Sequence, residues 1–96
     1  MDGRKRVAWN LRRIRVAKDL SQEGLAADAE VDRTYIGKLE RGIENPTVGL
    51  LDRIAAALAV DVSEFFARPK PNETPPKPLK AGRRSRITRR PRAIRR

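Results

Sequence analysis

The sequence contains no cysteine and no histidine, and only four of its 96 residues are aromatic. These absences exclude a disulfide framework, a thiolate nucleophile and the usual general base, and they remove the commonest metal ligands. The 12 acidic side chains are still available for paired-carboxylate chemistry, but a chain this short leaves little room for the cleft that such a pair requires. We therefore expect a protein that is not an enzyme and that binds no cofactor.

Long apolar runs are missing as well. The longest covers residues 54–60, is rich in alanine, and lies between Arg53 and Asp61. A membrane span needs about 20 consecutive apolar residues, so this run is far too short. We expect no membrane association and a cytoplasmic location.

The positive charge is concentrated at one end of the chain. Residues 1–68 carry 12 basic and 11 acidic side chains, whereas residues 69–96 carry 11 basic and one acidic side chain. The second segment begins PKPNETPPKPLK and has too few apolar groups to offset the entropy lost on ordering. We expect one folded domain over residues 4–68, followed by a disordered basic tail over residues 69–96.

The sequence predicts five helices and no strand. Apolar residues at Val7, Leu11 and Ile14 recur at i, i+4 and i+7, which predicts a first amphipathic helix between residues 4 and 18. The next three helices are predicted from residues that can cap their N-termini, namely Ser21, Asp32 and Thr47. A fifth, short helix is predicted to begin at Ser63. The expected fold class is therefore all-α.

The second and third helices are separated by only three or four residues. Such a short connection makes the two helices cross sharply, as they do in a helix-turn-helix. The third helix has Ile36 and Leu39 three residues apart, which anchors one side of it to the core, and it ends at Gly42. Its N-terminal residues are then expected to project outward.

The span LSQEGLAADAEVDRTYIGKLERGIENPT, followed by IAAALAVDVSEFF, resembles the lambda-repressor-like (Cro/cI, XRE-type) helix-turn-helix family. Several elements match in order: the SQ that opens helix 2, the I-x-x-L-E-x-G of helix 3, then Pro-Thr and IA-x-A-L-x-V. The resemblance is greatest to small regulators such as restriction-modification controller proteins. It covers roughly residues 7–66 and implies a five-helix domain that binds double-stranded DNA.

The resemblance implies that helix 3 enters the major groove, where each base pair displays a distinct set of donors and acceptors. Arg33 is the first candidate for base reading, because its guanidinium can pair with guanine O6 and N7. Thr34 and Tyr35 can each contact a base edge, and Tyr35 can also bond a phosphate. Gln22 is expected to bind a phosphate at the start of helix 2. Backbone contacts are expected from Lys38, Arg41 and Asn45.

Two further expectations come from the family pattern. The resemblance implies that Glu40 pairs inward with Arg15 of helix 1, as a partly buried structural link. The turn position that the family usually fills with glycine is Glu30 here, and a left-handed conformation costs a non-glycine residue roughly 1 kcal/mol. We therefore expect modest intrinsic stability.

A partner subunit is expected because one helix-turn-helix covers only half of a two-fold site. Val62 and Phe66 are the candidate homodimer interface, with Phe65 assigned to the core; the alternative places these three and Val60 in the core. Trp9 and Val16 lie opposite the apolar stripe of helix 1, where exposure indicates a surface for a protein partner. The alternative is that Trp9 covers the domain edge or meets the tail.

The sequence therefore predicts a dimeric, sequence-specific transcriptional regulator on nucleoid DNA. The tail, with eight arginines between residues 83 and 96, is expected to act as a sequence-independent clamp on flanking DNA. Its alternative partners are RNA, an acidic protein or a membrane surface. Two other functions remain open: an antitoxin that binds a toxin, and an RNA-binding module led by the tail.

Overall fold

Four α-helices and a short 3₁₀ helix make up residues 2–69, the part of the chain that the computed structural model describes. The helices are α1 (Gly3–Ala17), α2 (Gln22–Ala29), α3 (Arg33–Glu40), α4 (Val48–Leu58) and the 3₁₀ helix (Val62–Phe66). The predicted all-α fold is confirmed. The predicted tail beyond Pro69 lies outside the described residues, and the domain bounds of 4–68 remain a prediction.

The predicted N-caps of α2, α3 and α4 are confirmed. Ser21 accepts a hydrogen bond from the Gly24 amide at 2.9 Å, and Thr47 accepts one from the Leu50 amide at 3.0 Å. Asp32 caps α3 by accepting from the Thr34 amide at 3.3 Å. Each cap satisfies an amide that has no partner within its own helix.

The prediction that the last helix begins at Ser63 is wrong. It begins at Val62, because Asp61 is the capping residue and accepts a hydrogen bond from the Ser63 amide at 2.9 Å. Its five residues form a 3₁₀ helix, which is the usual form for such a short helical segment.

All four α-helices are followed by a residue with a left-handed backbone. Three of these residues are not glycine: Asp19, Glu30 and Ala59 each have φ of 58°. The fourth is Gly42, with φ of 75°. The left-handed conformation predicted for Glu30 is therefore confirmed, and it recurs at two sites that were not predicted.

One apolar core joins the five helices. Helix α1 packs against α3 and the 3₁₀ helix, and α2 packs against both α3 and α4. The fully buried side chains include Leu11, Leu25, Ile36, Leu39, Ile54, Leu58 and Phe65. Helix α3 is thus held on its inner side by two neighbours, which fixes the direction in which its outer residues point.

Candidate nucleic-acid interface

The N-terminal end of α3 presents the predicted reading residues. Ile36 and Leu39 are buried on the inner side, whereas Arg33 and Thr34 are exposed on the first turn. Tyr35 is half-buried and packs against the core cluster. Burial raises the pKa of Tyr35 above its ordinary value, and the charge of Glu44 adds to this effect. Tyr35 therefore keeps its hydroxyl proton near neutral pH and can donate it to an acceptor.

Arg33 pairs with a carboxylate of the preceding helix. Its Nε lies 3.7 Å from Oε2 of Glu23, and the side chains are 60% and 75% exposed. The pair therefore bridges the two helices of the helix-turn-helix on their solvent side. Screening by water makes such a pair a weak contributor to stability.

The structure brings together the two members of the predicted ion pair. Arg15 Nε donates to Glu40 Oε2 at 2.6 Å, and Arg15 Nη2 donates to Glu40 Oε1 at 3.0 Å. Both side chains are almost inaccessible, with exposures of 6% and 4%. Arg15 Nη1 also donates to the Leu20 carbonyl at 2.8 Å. The pair therefore links α1, α3 and the connection between α1 and α2, through Leu20.

Gln22 joins this buried network. Its Nε2 donates to Glu40 Oε1 at 3.1 Å, and its Oε1 faces α3 at Gly37, where an added Cβ would lie 3.8 Å away. The half-buried amide is therefore held in one orientation at the start of α2. An amide nitrogen has two hydrogens, so Gln22 can bond Glu40 and still donate to an external acceptor.

The three predicted backbone contacts lie on the second half of α3 and the following loop. Lys38 is half-buried, and Arg41 and Asn45 are exposed. Gly42 turns the chain with φ of 75°, and an added Cβ there would lie 3.5 Å from Cγ of Lys5. The loop therefore runs close to the first turns of α1.

The two candidate interface residues differ in exposure. Phe66 is 46% exposed, whereas Val62 is half-buried and packs against the core cluster. Phe66 lines a groove of about 430 Å³ together with Val7, Leu51 and Val48. Val48 is 69% exposed, and it was not predicted from the sequence. The assignment of Phe65 to the core is confirmed, since this side chain is inaccessible.

The expectation that Trp9 and Val16 are exposed is wrong, because both are half-buried. Arg6 and Arg13 stand one turn before and one turn after Trp9, and both are half-buried as well. Arg13 is held on this side of α1 by Nε and Nη2 bonds to Asn10 Oδ1 at 3.3 and 3.1 Å. The aliphatic stem of an arginine one turn away on a helix can cover part of an indole.

Asn10 and Arg53 are structural residues that were not predicted from the sequence. Asn10 is buried and donates to the carbonyls of Phe65 and Ala67 at 3.0 and 2.8 Å, which ties the end of the domain to α1. Its position between Val7 and Ile14 on the apolar stripe was the available signal. Arg53 donates to the carbonyls of Ala29 and Glu30 at 3.1 and 2.6 Å, at the negative end of the α2 dipole.

Within residues 2–69, no three acidic side chains are grouped in a way that could hold a metal ion. None of the helices described in this range has the length and apolar character needed to cross a bilayer.

A family model described as helix-turn-helix (HTH_3) matches residues 11–65. The chain is 41% identical over 75 residues to y4dJ of Sinorhizobium fredii, an uncharacterized HTH-type transcriptional regulator, over 78% of this chain and 95% of that protein. It is 40% identical over 68 residues to control protein C.SmaI of Serratia marcescens, covering 71% and 81% of the two chains. It also superposes on the restriction-modification controller protein C.Esp1396I, solved as a tetramer with its natural 35 base-pair operator. That superposition has a TM-score of 0.64 and 35% identity, over 69% of this chain and 87% of that chain.

Proposed function

Because the chain belongs to the HTH_3 helix-turn-helix family, we propose that it is a sequence-specific DNA-binding transcriptional regulator. It acts on the nucleoid DNA of the cytoplasm as a homodimer that reads a two-fold operator. Its mechanism is to place α3 of each subunit in successive major grooves, and so to change the access of RNA polymerase to a promoter. The operator-bound tetramer of C.Esp1396I supports this proposal by showing a related fold on duplex DNA.

The proposal rests on the difference between the buried inner side and the exposed outer side of α3. Its inner side is fixed by Ile36, Leu39 and the buried ion pair between Glu40 and Arg15. Its outer side begins with exposed Arg33, a side chain suited to guanine, on the first turn of the helix. A helix that is held rigidly and presents donors from its N-terminal turn meets the geometric requirement for reading bases in the major groove.

The residues divide into base readers and backbone contacts. Arg33 pairs with guanine, while Thr34 and Tyr35 contact neighbouring base edges. Gln22 donates to a phosphate from the first turn of α2, where the helix dipole also favours an anion. Lys38, Arg41 and Asn45 bind phosphates along the same strand and set the position of α3 in the groove.

Dimerisation through Phe66 and Val62 supplies the second reading helix. The exposed Phe66 ring and the apolar groove beside it provide the area that a second copy can cover. Two-fold pairing spaces the two copies of α3 by about 34 Å, one turn of duplex DNA. No protein partner is proposed at Trp9 and Val16, because both side chains are half-buried and neither is among the exposed large apolar residues.

Selection of bound sequences from random duplex DNA tests the function directly. We expect a palindromic consensus whose half-sites lie one helical turn apart and contain a guanine that Arg33 reads. Arg33→Ala should remove the preference for that guanine while the other positions keep theirs. Recovery of no consensus, or stronger binding to competing RNA than to duplex DNA, would contradict the proposal.

A further inference from the structure

The proposed base reader, Arg33, lies beside a residue of opposite charge on the neighbouring helix, Glu23. The contact joins Oε2 of Glu23 to Nε of Arg33 at 3.7 Å, on the solvent side of the helix-turn-helix. Within residues 2–69 the contact to Glu23 is made on the Nε edge of the Arg33 guanidinium, and the Arg33 side chain is 60% exposed.

Fold stability does not account for this contact. A distance of 3.7 Å is longer than a charge-assisted hydrogen bond, and the two side chains are mostly exposed. Helices α2 and α3 are already joined by Gln22 and Glu40 and by the core. The favourable effect of a carboxylate on the α2 dipole is small at such an exposed site.

Glu23 also occupies an unfavourable place for a protein that binds DNA. It follows Gln22, the proposed phosphate contact, and its carboxylate points to the same side as Arg33. A carboxylate beside a phosphate repels it, so Glu23 lowers the affinity for every DNA sequence. An acidic residue at this place therefore needs a compensating role.

We infer that Glu23 is a specificity-determining residue that positions Arg33 for guanine. This inference rests on the DNA-reading function proposed above. The carboxylate holds the Nε edge of the guanidinium, which leaves the two terminal nitrogens to form the paired bonds with O6 and N7 of guanine. The same carboxylate competes with phosphates for Arg33. Arg33 therefore adds no affinity to a complex on DNA that lacks the guanine.

Glu23→Gln is the test, measured as affinity for the selected operator, for scrambled duplex DNA, and for operators altered one base pair at a time. We expect the affinity for scrambled DNA to rise several-fold, and the ratio of operator to scrambled affinity to fall about tenfold. The loss of preference should be confined to the guanine read by Arg33. A destabilised helix would instead weaken the preference at every position.

Two control variants separate orientation from charge. Asp52→Asn changes the net charge equally at an exposed site on α4, and it should leave the specificity ratio unchanged. In an Arg33→Gln background, Glu23→Gln should no longer alter the ratio, because the group that it positions is gone. The melting temperature of Glu23→Gln should stay close to that of the parent chain.

The outcomes also separate this inference from the function on which it rests. If the parent chain prefers no sequence, the proposed function fails and the role of Glu23 falls with it. If the parent chain discriminates between operator and scrambled DNA but Glu23→Gln keeps the full specificity ratio, the function stands and the inference is overturned. The same holds if Glu23→Gln lowers that ratio as much in the Arg33→Gln background as in the parent chain.

Discussion

Glu40 is the residue on which three parts of the domain depend. Its two oxygens accept hydrogen bonds from Nε and Nη2 of Arg15 on α1 and from Nε2 of Gln22 on α2. A carboxylate on a helix proposed to face DNA is thereby turned inward, where the Arg15 charge neutralises it. The same interaction fixes the angle of α3 and the orientation of the Gln22 amide.

Replacing Glu40 alone should destabilise the domain strongly. Glu40→Leu leaves the Arg15 guanidinium buried without its counter-charge, and we expect the free energy of unfolding to fall by about 3 kcal/mol or more. Chemical denaturation measures this change. The double variant Arg15→Met with Glu40→Leu is the matched control and should recover much of the stability, because no buried charge remains. If Glu40→Leu unfolds at the same denaturant concentration as the parent chain, the ion pair contributes nothing to stability.

At the scale of the helices, the N-terminal caps show which features of the fold can be predicted from the sequence. Ser21, Asp32 and Thr47 were correctly predicted as caps because each bonds an amide only two or three residues ahead. Asn10 was missed because its partners, Phe65 and Ala67, lie 55 and 57 residues away in the chain. Capping could therefore be predicted from neighbouring residues, whereas the long-range bonds of Asn10 could not. The Arg15 to Glu40 pair, also made by folding, was predicted only through the family resemblance.

The candidate site also combines features that neighbouring residues predict with contacts that only the folded structure shows. The set of outward-facing residues on α3 was predictable from Ile36 and Leu39, which fix the inner side. The Glu23 contact to Arg33 was not predictable, because it depends on the crossing of α2 and α3. The exposure of Trp9 was predicted wrongly, since helical angles within α1 alone do not show how much of the indole other side chains cover.

Single substitutions at the helix ends are the simplest way to raise the stability of this fold. Ala59 adopts φ of 58° and ψ of 41° after α4, a conformation that costs an alanine about 1 kcal/mol relative to glycine. Ala59→Gly should therefore raise the melting temperature by about 4–8 °C in a thermal scan. Glu30→Gly should act in the same direction at the end of α2.

Ala56→Gly is the control for these variants. Ala56 is exposed within α4, so its replacement by glycine should lower stability by about 1 kcal/mol. If Ala59→Gly or Glu30→Gly lowers the melting temperature as well, the left-handed turns are not strained.

At the scale of the whole molecule, association is proposed to depend on the groove at Phe66, and base reading on the first turn of α3; Asn45, a proposed phosphate contact, also lines the groove. Phe66→Glu places a charge on the exposed ring position beside the apolar groove, and we expect it to shift the protein to a monomer in sedimentation experiments. Ile43→Glu is the control, because Ile43 is equally apolar and exposed but does not line the groove. A monomeric parent chain, or equal dissociation by both variants, would contradict the assignment of the interface.

Charge is also divided along the molecule, and this division predicts how affinity and specificity separate. Residues 1–68 are nearly neutral, with 12 basic and 11 acidic side chains, whereas residues 69–96 carry 11 basic and one acidic side chain. Sequence-independent attraction to phosphates should therefore come mainly from the tail, and base discrimination from α3.

Deletion of residues 69–96 tests this division, because the core residues that hold α3 all precede it. We expect the shortened chain to bind every duplex more weakly but to prefer the same sequence. The dependence of log K on log salt should become flatter, by about 0.9 for each phosphate that the shortened chain no longer neutralises. Replacing the eight arginines between residues 83 and 96 with glutamine in the full chain should reproduce most of the effect. A changed sequence preference would instead make the tail a base reader, and unchanged binding would assign the tail to a partner other than DNA.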